Sequence, residues 1–256
     1  MVEAIPTYDH NDDSVELYEQ YNFNNFDENI FRNEISGKLK EVELRYNAKK
    51  YNENCGLPIL IRPHEIESLF EGYFYDLSYG SKYSKNNIYN IGDKIQDSAD
   101  CDLINLKAVS LIKGSVESNI FDSDGTTLVD TLLIENGVVK NNFGSHQMAS
   151  YLNAKETGNL SCASLNPGSL NINDLNEYIE IVSMSGLQAD IINDYIGGEV
   201  RLAILHKDGK EYPITGFSIS GSIKENLNLI RFTNEIVSID RYEGPNLLML
   251  KKINII

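Results

Sequence analysis

The sequence predicts an α+β fold, with helices near the start of the chain and mainly antiparallel strands and hairpins with short helices after them. Two stretches before residue 79 place apolar side chains at helical spacing, whereas the later chain alternates short apolar runs with turn residues. Two of those turns contain Asn136-Gly137 and Asp208-Gly209, dipeptides that are typical of tight β-hairpins. Helices gathered at one end and strands after them favour this class over alternating α/β folds.

Residues 1–25 are expected to form an irregular or extended arm, in which Val15 and Leu17 support one short strand at most. From residue 27 to 50, apolar residues recur at helical spacing with charged residues between them. Asp27 stands directly before this pattern and is a suitable N-cap, because its carboxylate can accept hydrogen bonds from the first helical N–H groups. We therefore expect one long amphipathic helix over residues 27–50.

A short buried strand over residues 57–62 is expected to precede a second helix that begins at Pro63, a residue favoured in the first helical turn. One broad face of this helix carries the apolar residues Ile66, Leu69, Phe70, Tyr73, Phe74 and Leu77. The later strands are predicted at residues 103–112, 127–134, 138–143, 178–183, 199–206, 211–222 and 247–256. Short helices are predicted at residues 147–152, 172–176 and 224–230.

Composition limits the classes of function. The net charge of −16 argues against binding to a nucleic-acid backbone, which requires a basic surface. No apolar run approaches the roughly 20 residues of a membrane span, and the first ten residues lack the features of a signal peptide. Cys55, Cys101 and Cys162 are odd in number and far apart, so we expect them to be small packing residues in a reducing cytoplasm.

A series of short phrases, taken in order, resembles the C-terminal domain of the TldD/PmbA family, metallopeptidase-related proteins that are also called modulators of DNA gyrase. Each phrase is weak alone, and the shared order makes the resemblance specific. The phrases cover residues 80–95, 121–125 (FDSDG), 135–137 (ENG), 157–159 (TGN), 166–170 (NPGSL), 185–189 (SGLQA), 212–214 (YPI) and 219–222 (ISGS). The resemblance implies that residues 57–256 form the family's C-terminal domain. Residues 1–56, an arm plus a helix, would then be a remnant of the N-terminal domain in a truncated member or in a fragment of a longer one.

Active members of this family resemble zinc peptidases, in which two histidines of an HExxxH helix and a later cysteine hold the metal. Such a set suits zinc, and the glutamate activates a metal-bound water. The resemblance places the two histidines at Glu71 and Asp76, and the glutamate at Gly72. The cysteine falls near Asp240 or Glu243. The ligands are therefore expected to be lost, as in the PmbA branch, whose members lack the motif and act as partners of an active subunit.

Two interpretations of these carboxylates remain. Glu71, Asp76 and either Asp240 or Glu243 could form an oxygen-rich site for Mg²⁺, Ca²⁺ or Mn²⁺. Alternatively, Glu71 and Asp76 are solvated helix residues, which is the favoured interpretation because acidic side chains are rarely buried.

A second histidine-glutamate pair, His64-Glu65, also lies on the helix that begins at Pro63. An HExxxH motif would need a second histidine at position 69, and an HExxH motif would need one at position 68. Leu69 and Ser68 stand there instead. We therefore interpret the pair as polar residues of a first helical turn and assign no metal ligand, cofactor-binding residue or catalytic residue.

The resemblance implies a role in the proteolysis of unstructured peptides, which would be held as an added strand in a cleft between two subunits. Zinc is the cofactor of the active members, and the expected partners are a peptide substrate and a homologous subunit or a second copy of the chain. No partnership with nucleic acid or a membrane is expected. The alternative is a non-catalytic partner subunit or peptide-binding module that serves an active peptidase.

Overall fold

A computed structural model describes residues 1–10, 13–54, 56–98 and 100–256 of the protein. The helices are α1 (Glu28–Asn47), α2 (Pro63–Asp76), α3 (Tyr79–Ser84), α4 (His146–Leu152) and α5 (Ile223–Leu227), and a short 3₁₀ helix covers Ile172–Asp174. The strands are β1 (Val2–Ala4), β2 (Thr7–His10), β3 (Asp13–Glu16), β4 (Glu19–Tyr21), β5 (Lys49–Lys50), β6 (Ile59–Ile61), β7 (Leu106–Val109), β8 (Thr131–Glu135), β9 (Val138–Val139), β10 (Cys162–Leu165), β11 (Tyr178–Met184), β12 (Gln188–Asp190), β13 (Tyr195–Lys207), β14 (Lys210–Thr215), β15 (Phe217–Gly221), β16 (Arg231–Phe232), β17 (Ile236–Ile239), β18 (Tyr242–Pro245), β19 (Leu248–Leu250) and β20 (Ile253–Ile255).

Most of these strands belong to two sheets. A ten-stranded sheet has the order β16-β19-β6-β11-β13-β14-β5, with β12 and β15 also paired to β13 and with β20 paired to β15. A six-stranded sheet has the order β17-β18-β10-β7-β8-β9. Most neighbours are antiparallel, and the pairs β6–β11, β5–β14 and β10–β18 are parallel. The α+β class is therefore confirmed, with three parallel pairs that local turn patterns do not predict.

The two long helices form where the sequence predicts them. The Asp27 carboxylate accepts hydrogen bonds from the N–H groups of Asn29 (2.9 Å) and Ile30 (3.1 Å), which confirms its role as the N-cap of α1. The helix ends at Asn47, before the predicted residue 50, because Lys49–Lys50 pairs with β14 as a short strand.

Helix α2 begins at Pro63 as predicted, and its buried face joins the main core. That core is a continuous hydrophobic cluster which contains residues of α2 and of both large sheets. Central strand β6 is fully buried and pairs with β11 on one side and β19 on the other. Helix α2 is therefore fixed between the sheets, and this position determines which of its side chains remain accessible.

The N-terminal arm is more regular than predicted. Strands β1 and β4 pair with each other, as do β2 and β3, so residues 1–21 contain two small antiparallel pairs. Leu17 is only 1% exposed, and its N–H donates to the Pro6 carbonyl at 3.0 Å. The expectation of one short strand at most was wrong, because these strands are stabilised by pairing within the arm rather than by a strong apolar alternation.

Both predicted hairpin turns are confirmed. Asn136 and Gly137 have φ values of 50° and 72°, and Asp208 and Gly209 have φ values of 52° and 68°. The first turn connects β8 to β9, and the second connects β13 to β14. Positive φ at both central positions is the conformation that a type I′ turn requires.

Several short elements differ from the sequence prediction. No helix was predicted over residues 79–84, but Tyr79–Ser84 forms α3, with the Ser78 hydroxyl accepting from the Ser81 N–H. The predicted strand at 211–222 is two strands, β14 and β15, separated at Gly216 with φ of 75°. Strands β10, β12, β16, β17 and β18 were not predicted, since each has only two to four residues.

A chain of ion pairs connects the arm and α1 to the rest of the molecule. Arg62, at the start of α2, binds Glu41 of α1 at 2.8 Å and Glu180 of β11 at 2.8 Å. On α1, Lys38 binds Glu41 at 3.0 Å and Glu19 of the arm at 2.7 Å. All five side chains are less than one-third exposed, with exposed fractions from 18% to 30%. The contact between residues 1–50 and the core is therefore strongly polar.

The thiols of Cys101 and Cys162 are free, and Cys162 is buried in a small apolar cluster, as expected for a packing residue. Cys101 is partly exposed, and Cys55 lies outside the described residues. None of the helices in the described part of the chain has both the length and the apolar character that a membrane crossing requires.

Candidate functional site

A cleft of about 290 Å³ lies along one face of helix α2. Glu67, Phe70, Glu71, Phe74 and Tyr75 form its helical wall. Their spacing of three and four residues places them on the same side of the helix. The facing wall comes from the segment that enters β10, from β10 itself and from the start of β18. The cleft therefore lies between the second helix and the six-stranded sheet.

The register of the sheet determines which residues face α2. The parallel pairing of β10 with β18 sets Ala163 beside Tyr242 and Ser164 beside Glu243. Since successive side chains of a strand point to opposite faces, Ala163 and Tyr242 face the cleft, whereas Ser164 and Glu243 face away from it. Tyr242 is 1% exposed, and its hydroxyl donates to the Pro245 carbonyl at 3.0 Å. The sheet thus forms a rigid wall with a small residue, Ala163, beside an anchored aromatic ring.

An ion pair connects the hairpin between β17 and β18 to the helix. Arg241 is the second residue of the two-residue turn between these strands, and its Nε donates to Glu67 Oε1 at 3.0 Å. The Nη2 atom of Arg241 lies 3.0 Å from the same oxygen and 3.8 Å from Glu71 Oε1. Burial raises the pKa of the Glu67 carboxyl, and the nearby guanidinium opposes this rise. The polar end of the cleft therefore has two carboxylates and one guanidinium.

The residues that the resemblance places at the zinc positions of α2 point in different directions. Glu71 lines the cleft and is exposed, as expected. A β-carbon at Gly72 would lie 3.1 Å from Ile191 Cγ2, so this position faces the turn after β12 rather than the cleft.

Asp76 is buried, with 3% of its surface exposed, and its two oxygens accept hydrogen bonds from the backbone N–H groups of Ile88 (2.6 Å) and Tyr89 (3.0 Å). The interpretation of Asp76 as a solvated residue was therefore wrong. Its burial is compatible with a carboxylate because two backbone donors satisfy it.

The two alternatives for the cysteine position are also separate from the helix residues. The Oδ1 atom of Asp240 accepts a hydrogen bond from Asn22 Nδ2 at 3.3 Å, on the side of the N-terminal arm. The Oε2 atom of Glu243 accepts from Ser238 Oγ at 3.3 Å, on the sheet face opposite to α2. Neither carboxylate meets Glu71 or Asp76, so the proposed oxygen-rich metal site is not assembled from these residues.

The zinc ion that the resemblance implies would need a converging set of donor side chains. Within the described ranges, no group of three or more His, Cys, Asp and Glu side chains is arranged so that it could hold a metal. His64 is exposed in the first turn of α2, as expected. Burial raises the pKa of Glu65, and the nearby His64 and Arg62 charges oppose this rise. The described residues therefore do not fit a zinc ion, which needs three or four converging nitrogen, sulfur or oxygen ligands.

Sequence reasoning pointed to the helix that lines the cleft but missed most of the other residues that line it. Glu67, Tyr75 and Arg241 were not considered as site residues. A signal was present for the helical residues, since Glu67, Glu71 and Tyr75 follow one another at intervals of four. No local pattern could show that Arg241 crosses to α2, because that contact depends on strands β17 and β18, which were not predicted.

Comparisons with known proteins agree with this architecture. The family model described as the PmbA/TldA metallopeptidase C-terminal domain matches residues 54–256. A search of the curated proteins finds no match. Among solved structures, TldE from Thermococcus kodakarensis superposes with a TM-score of 0.78 at 16% identity, covering 97% of this chain and 61% of that chain.

Two further structures are proposed modulators of DNA gyrase. The protein from Thermotoga maritima gives a TM-score of 0.71 at 16% identity and covers 86% of this chain and 54% of that chain. The protein from Bacteroides thetaiotaomicron gives a TM-score of 0.70 at 16% identity and covers 86% of this chain and 51% of that chain. At this identity the likeness shows the fold alone, and the present chain spans 51% to 61% of the length of these relatives. The family model matches most of the chain, and the chain therefore belongs to the TldD/PmbA family of metallopeptidase-related proteins.

Proposed function

We propose that this chain is a non-catalytic, peptide-binding component of a TldD/PmbA-type peptidase and that it takes part in the proteolysis of unstructured peptides. The cleft along α2 would hold a segment of the peptide. A homologous subunit would supply the metal and carry out the hydrolytic step. The composition and the cysteine pattern favour the cytoplasm as the place of this activity.

One observation carries the proposal: the helix that the family resemblance assigns to the zinc motif lines, through Glu71, a cleft with apolar walls and an Arg241–Glu67 ion pair at its end. Apolar walls with a few polar groups are typical of binding sites. A guanidinium that is already paired with a carboxylate is a poor neighbour for a zinc ion, because the two cations repel each other. The cleft is thus suited to binding rather than to metal-dependent hydrolysis.

The proposal is tested by measuring zinc content, peptide hydrolysis and peptide binding on the purified chain. We expect binding of unstructured peptides, no stoichiometric zinc, and hydrolysis only after an active homologous subunit is added. Ala163→Phe should weaken peptide binding, because the new ring would enter the cleft. Ser164→Phe is the matched control, since it adds the same ring to the opposite face of the same strand.

A different outcome would identify the chain itself as the peptidase. One molar equivalent of zinc that is lost on His64→Ala, together with hydrolysis by the chain alone, would contradict the proposal. Equal loss of binding in Ala163→Phe and Ser164→Phe, with unchanged folding of both variants, would show that the peptide binds somewhere other than this cleft.

A further inference from the structure

The interior of the cleft is apolar and suits one bulky side chain. Phe70, Phe143, Leu160 and Leu165 are each at most 4% exposed and line it. Its volume of about 290 Å³ is at the lower end of the range for ligand sites, which runs from roughly 300 to 1,000 Å³. Such a cavity accommodates a large aliphatic or aromatic side chain better than a folded segment.

The rim of the cleft is polar and exposed, in contrast to its apolar interior. Glu71 and Tyr75 are four residues apart on α2 and therefore adjacent on its surface. The Glu71 side chain is 66% exposed and Tyr75 is 65% exposed. Within the described residues, the nearest cation to Glu71 is Arg241 at 3.8 Å, and that guanidinium is already hydrogen-bonded to Glu67. Glu71 thus has acceptor capacity that a ligand can use.

The charged side chains at this end of the cleft determine whether a cationic or an anionic ligand is favoured. Two carboxylates, Glu67 and Glu71, surround one guanidinium at this end of the cleft, and the whole chain carries a net charge of −16. An anionic ligand would approach Glu71 against this field, whereas a cationic ligand would be attracted by it. The exposed ring of Tyr75 adds a second favourable contact, since aromatic faces attract ammonium and guanidinium groups.

We propose that the cleft selects extended peptide segments in which a lysine or an arginine stands two positions from a bulky apolar residue, so that both side chains face the cleft. The apolar side chain enters the cavity between α2 and β10, and the basic group lies on Glu71 and Tyr75 at the rim. This inference rests on the proposed function, because it names the class of peptide that the same cleft would bind.

The test uses blocked hexapeptides carrying a neutral fluorescent label, with alanine at all positions except the third and the fifth. Four pairs at these two positions are compared: Leu-Lys, Ala-Lys, Leu-Gln and Leu-Glu. Binding is followed by fluorescence anisotropy on the full chain and on two variants. Glu71→Gln removes the charge at the rim, and Glu43→Gln removes the same charge from an exposed position of α1.

The Leu-Lys peptide is expected to bind about three to ten times more tightly than Leu-Gln, the range for a partly exposed ion pair with an aromatic contact. Ala-Lys should be weaker than Leu-Lys, and Leu-Glu should be the weakest of the leucine peptides. Glu71→Gln should remove the preference for lysine over glutamine, and Glu43→Gln should retain it. Circular dichroism confirms that both variants are folded.

Two results would overturn the inference in distinguishable ways. Equal binding of Leu-Lys and Leu-Gln, or the same effect of Glu43→Gln and Glu71→Gln, would refute the basic preference while leaving peptide binding by the cleft in place. Failure of all four peptides to bind at millimolar concentration would refute the proposed peptide-binding function and this inference with it.

Discussion

At Gly137 the type I′ turn requires positive φ, and the buried side chain of Gln96 lies directly over the α-carbon. A β-carbon at this position would lie 2.9 Å from Gln96 Oε1. Gln96 is fixed in place, because its Nε2 donates to the Leu227 carbonyl at 2.8 Å and its Oε1 accepts from the Ile104 N–H at 2.8 Å. A glycine is therefore required at position 137 for two independent reasons: the positive φ of its backbone, and the lack of room for a β-carbon beside the Gln96 side chain.

The first prediction compares Gly137→Val with Gly209→Val. Both substitutions place a β-branched residue in a type I′ turn, and each should lose about 1–3 kcal/mol of unfolding free energy through backbone strain. Among the described residues, no atom beyond its two chain neighbours lies within 4 Å of a β-carbon at Gly209, so only Gly137→Val also displaces Gln96. We expect at least about 1 kcal/mol more destabilisation at Gly137 from this overpacking. Urea denaturation measures both, and an equal loss would contradict the proposed clash.

The second prediction concerns pH and Glu67. Burial raises the pKa of this carboxyl in the folded state. The folded chain therefore holds the Glu67 proton more tightly than the unfolded chain does. The resulting stabilisation is fully present below the ordinary carboxyl pKa and is lost as the pH rises through the raised value.

Glu67→Gln should accordingly show a smaller decrease in unfolding free energy than the natural chain as the pH rises from the ordinary carboxyl pKa toward neutrality. Chemical denaturation at a series of pH values gives the two slopes. Glu43→Gln is the control, because Glu43 is an exposed carboxylate of α1. Identical slopes in the natural chain and in Glu67→Gln would show that burial does not raise the pKa of the Glu67 carboxyl.

Residue-level prediction from sequence succeeded where the chemistry is local. The N-cap Asp27 and the turn residues Asn136-Gly137 act on groups within a few positions of themselves. Asp76 was misjudged because its donors, Ile88 and Tyr89, reach it only after the chain turns back past α3. An aspartate in a helix looks the same in the sequence whether its carboxylate is buried or solvated.

Among the elements, α1 packs aromatic rings on the N-terminal arm and is joined to the large sheet by ion pairs. Val42 is its only buried residue in the described part of the chain. Arg62 connects α1 to the large sheet by binding both Glu41 and Glu180. Removing this side chain would leave two partly buried carboxylates without their common cation.

The third prediction follows from this attachment. Arg62→Met should cost about 1–2 kcal/mol, a value reduced from that of a fully buried pair because the side chain is 30% exposed. Hydrogen exchange monitored by mass spectrometry should become faster in Glu28–Asn47 than in β11 and β13. Arg32→Met is the control, since the Arg32–Glu28 pair is 74% and 65% exposed and contributes little. Equal acceleration in both variants would contradict the proposed connection.

The sequence pattern identified the elements that are long or that have a clear start signal, such as a capping residue or a proline. Helices α1 and α2 have a cap or a proline at their start and a regular apolar spacing. Strand β10 reads Cys-Ala-Ser-Leu, and β18 contains a glycine and a proline, so neither shows a strand pattern by itself. Their stability comes from pairing with each other and with β7 and β17.

For the whole molecule, the α+β class was predictable because the two long helices lie in the first third of the chain and most strands follow them. The cleft was only partly predictable: the resemblance pointed to α2, but its facing wall requires the register of β10 and β18. Pairing between strands far apart in sequence is not encoded in local periodicity.

The fourth prediction concerns assembly. We expect the chain to associate through residues 57–256, as a homodimer or with a homologous subunit. Ile236 is 43% exposed on β17, which lies at the edge of the six-stranded sheet and suits an interface of this kind. Sedimentation velocity at micromolar concentration should show a dimer, or a complex once a homologous subunit is added. Ile236→Lys should weaken it, and Leu39→Lys on α1 is the control.

Association that is lost in Leu39→Lys and retained in Ile236→Lys would move the interface to α1, where Leu39 is 51% exposed. A monomer in both conditions would contradict the prediction.

The position of β6 also has a consequence for how the protein is made. Its three residues, Ile59–Ile61, are fully buried between β11 and β19, yet β19 is translated long after β6. During synthesis, the edge of β6 that pairs with β19 stays unpaired until nearly two hundred further residues have been added. Such long-range closure slows folding and exposes a segment that is prone to aggregation. We therefore expect the nascent chain to benefit from chaperones that cover unpaired strands until β19 has been synthesised.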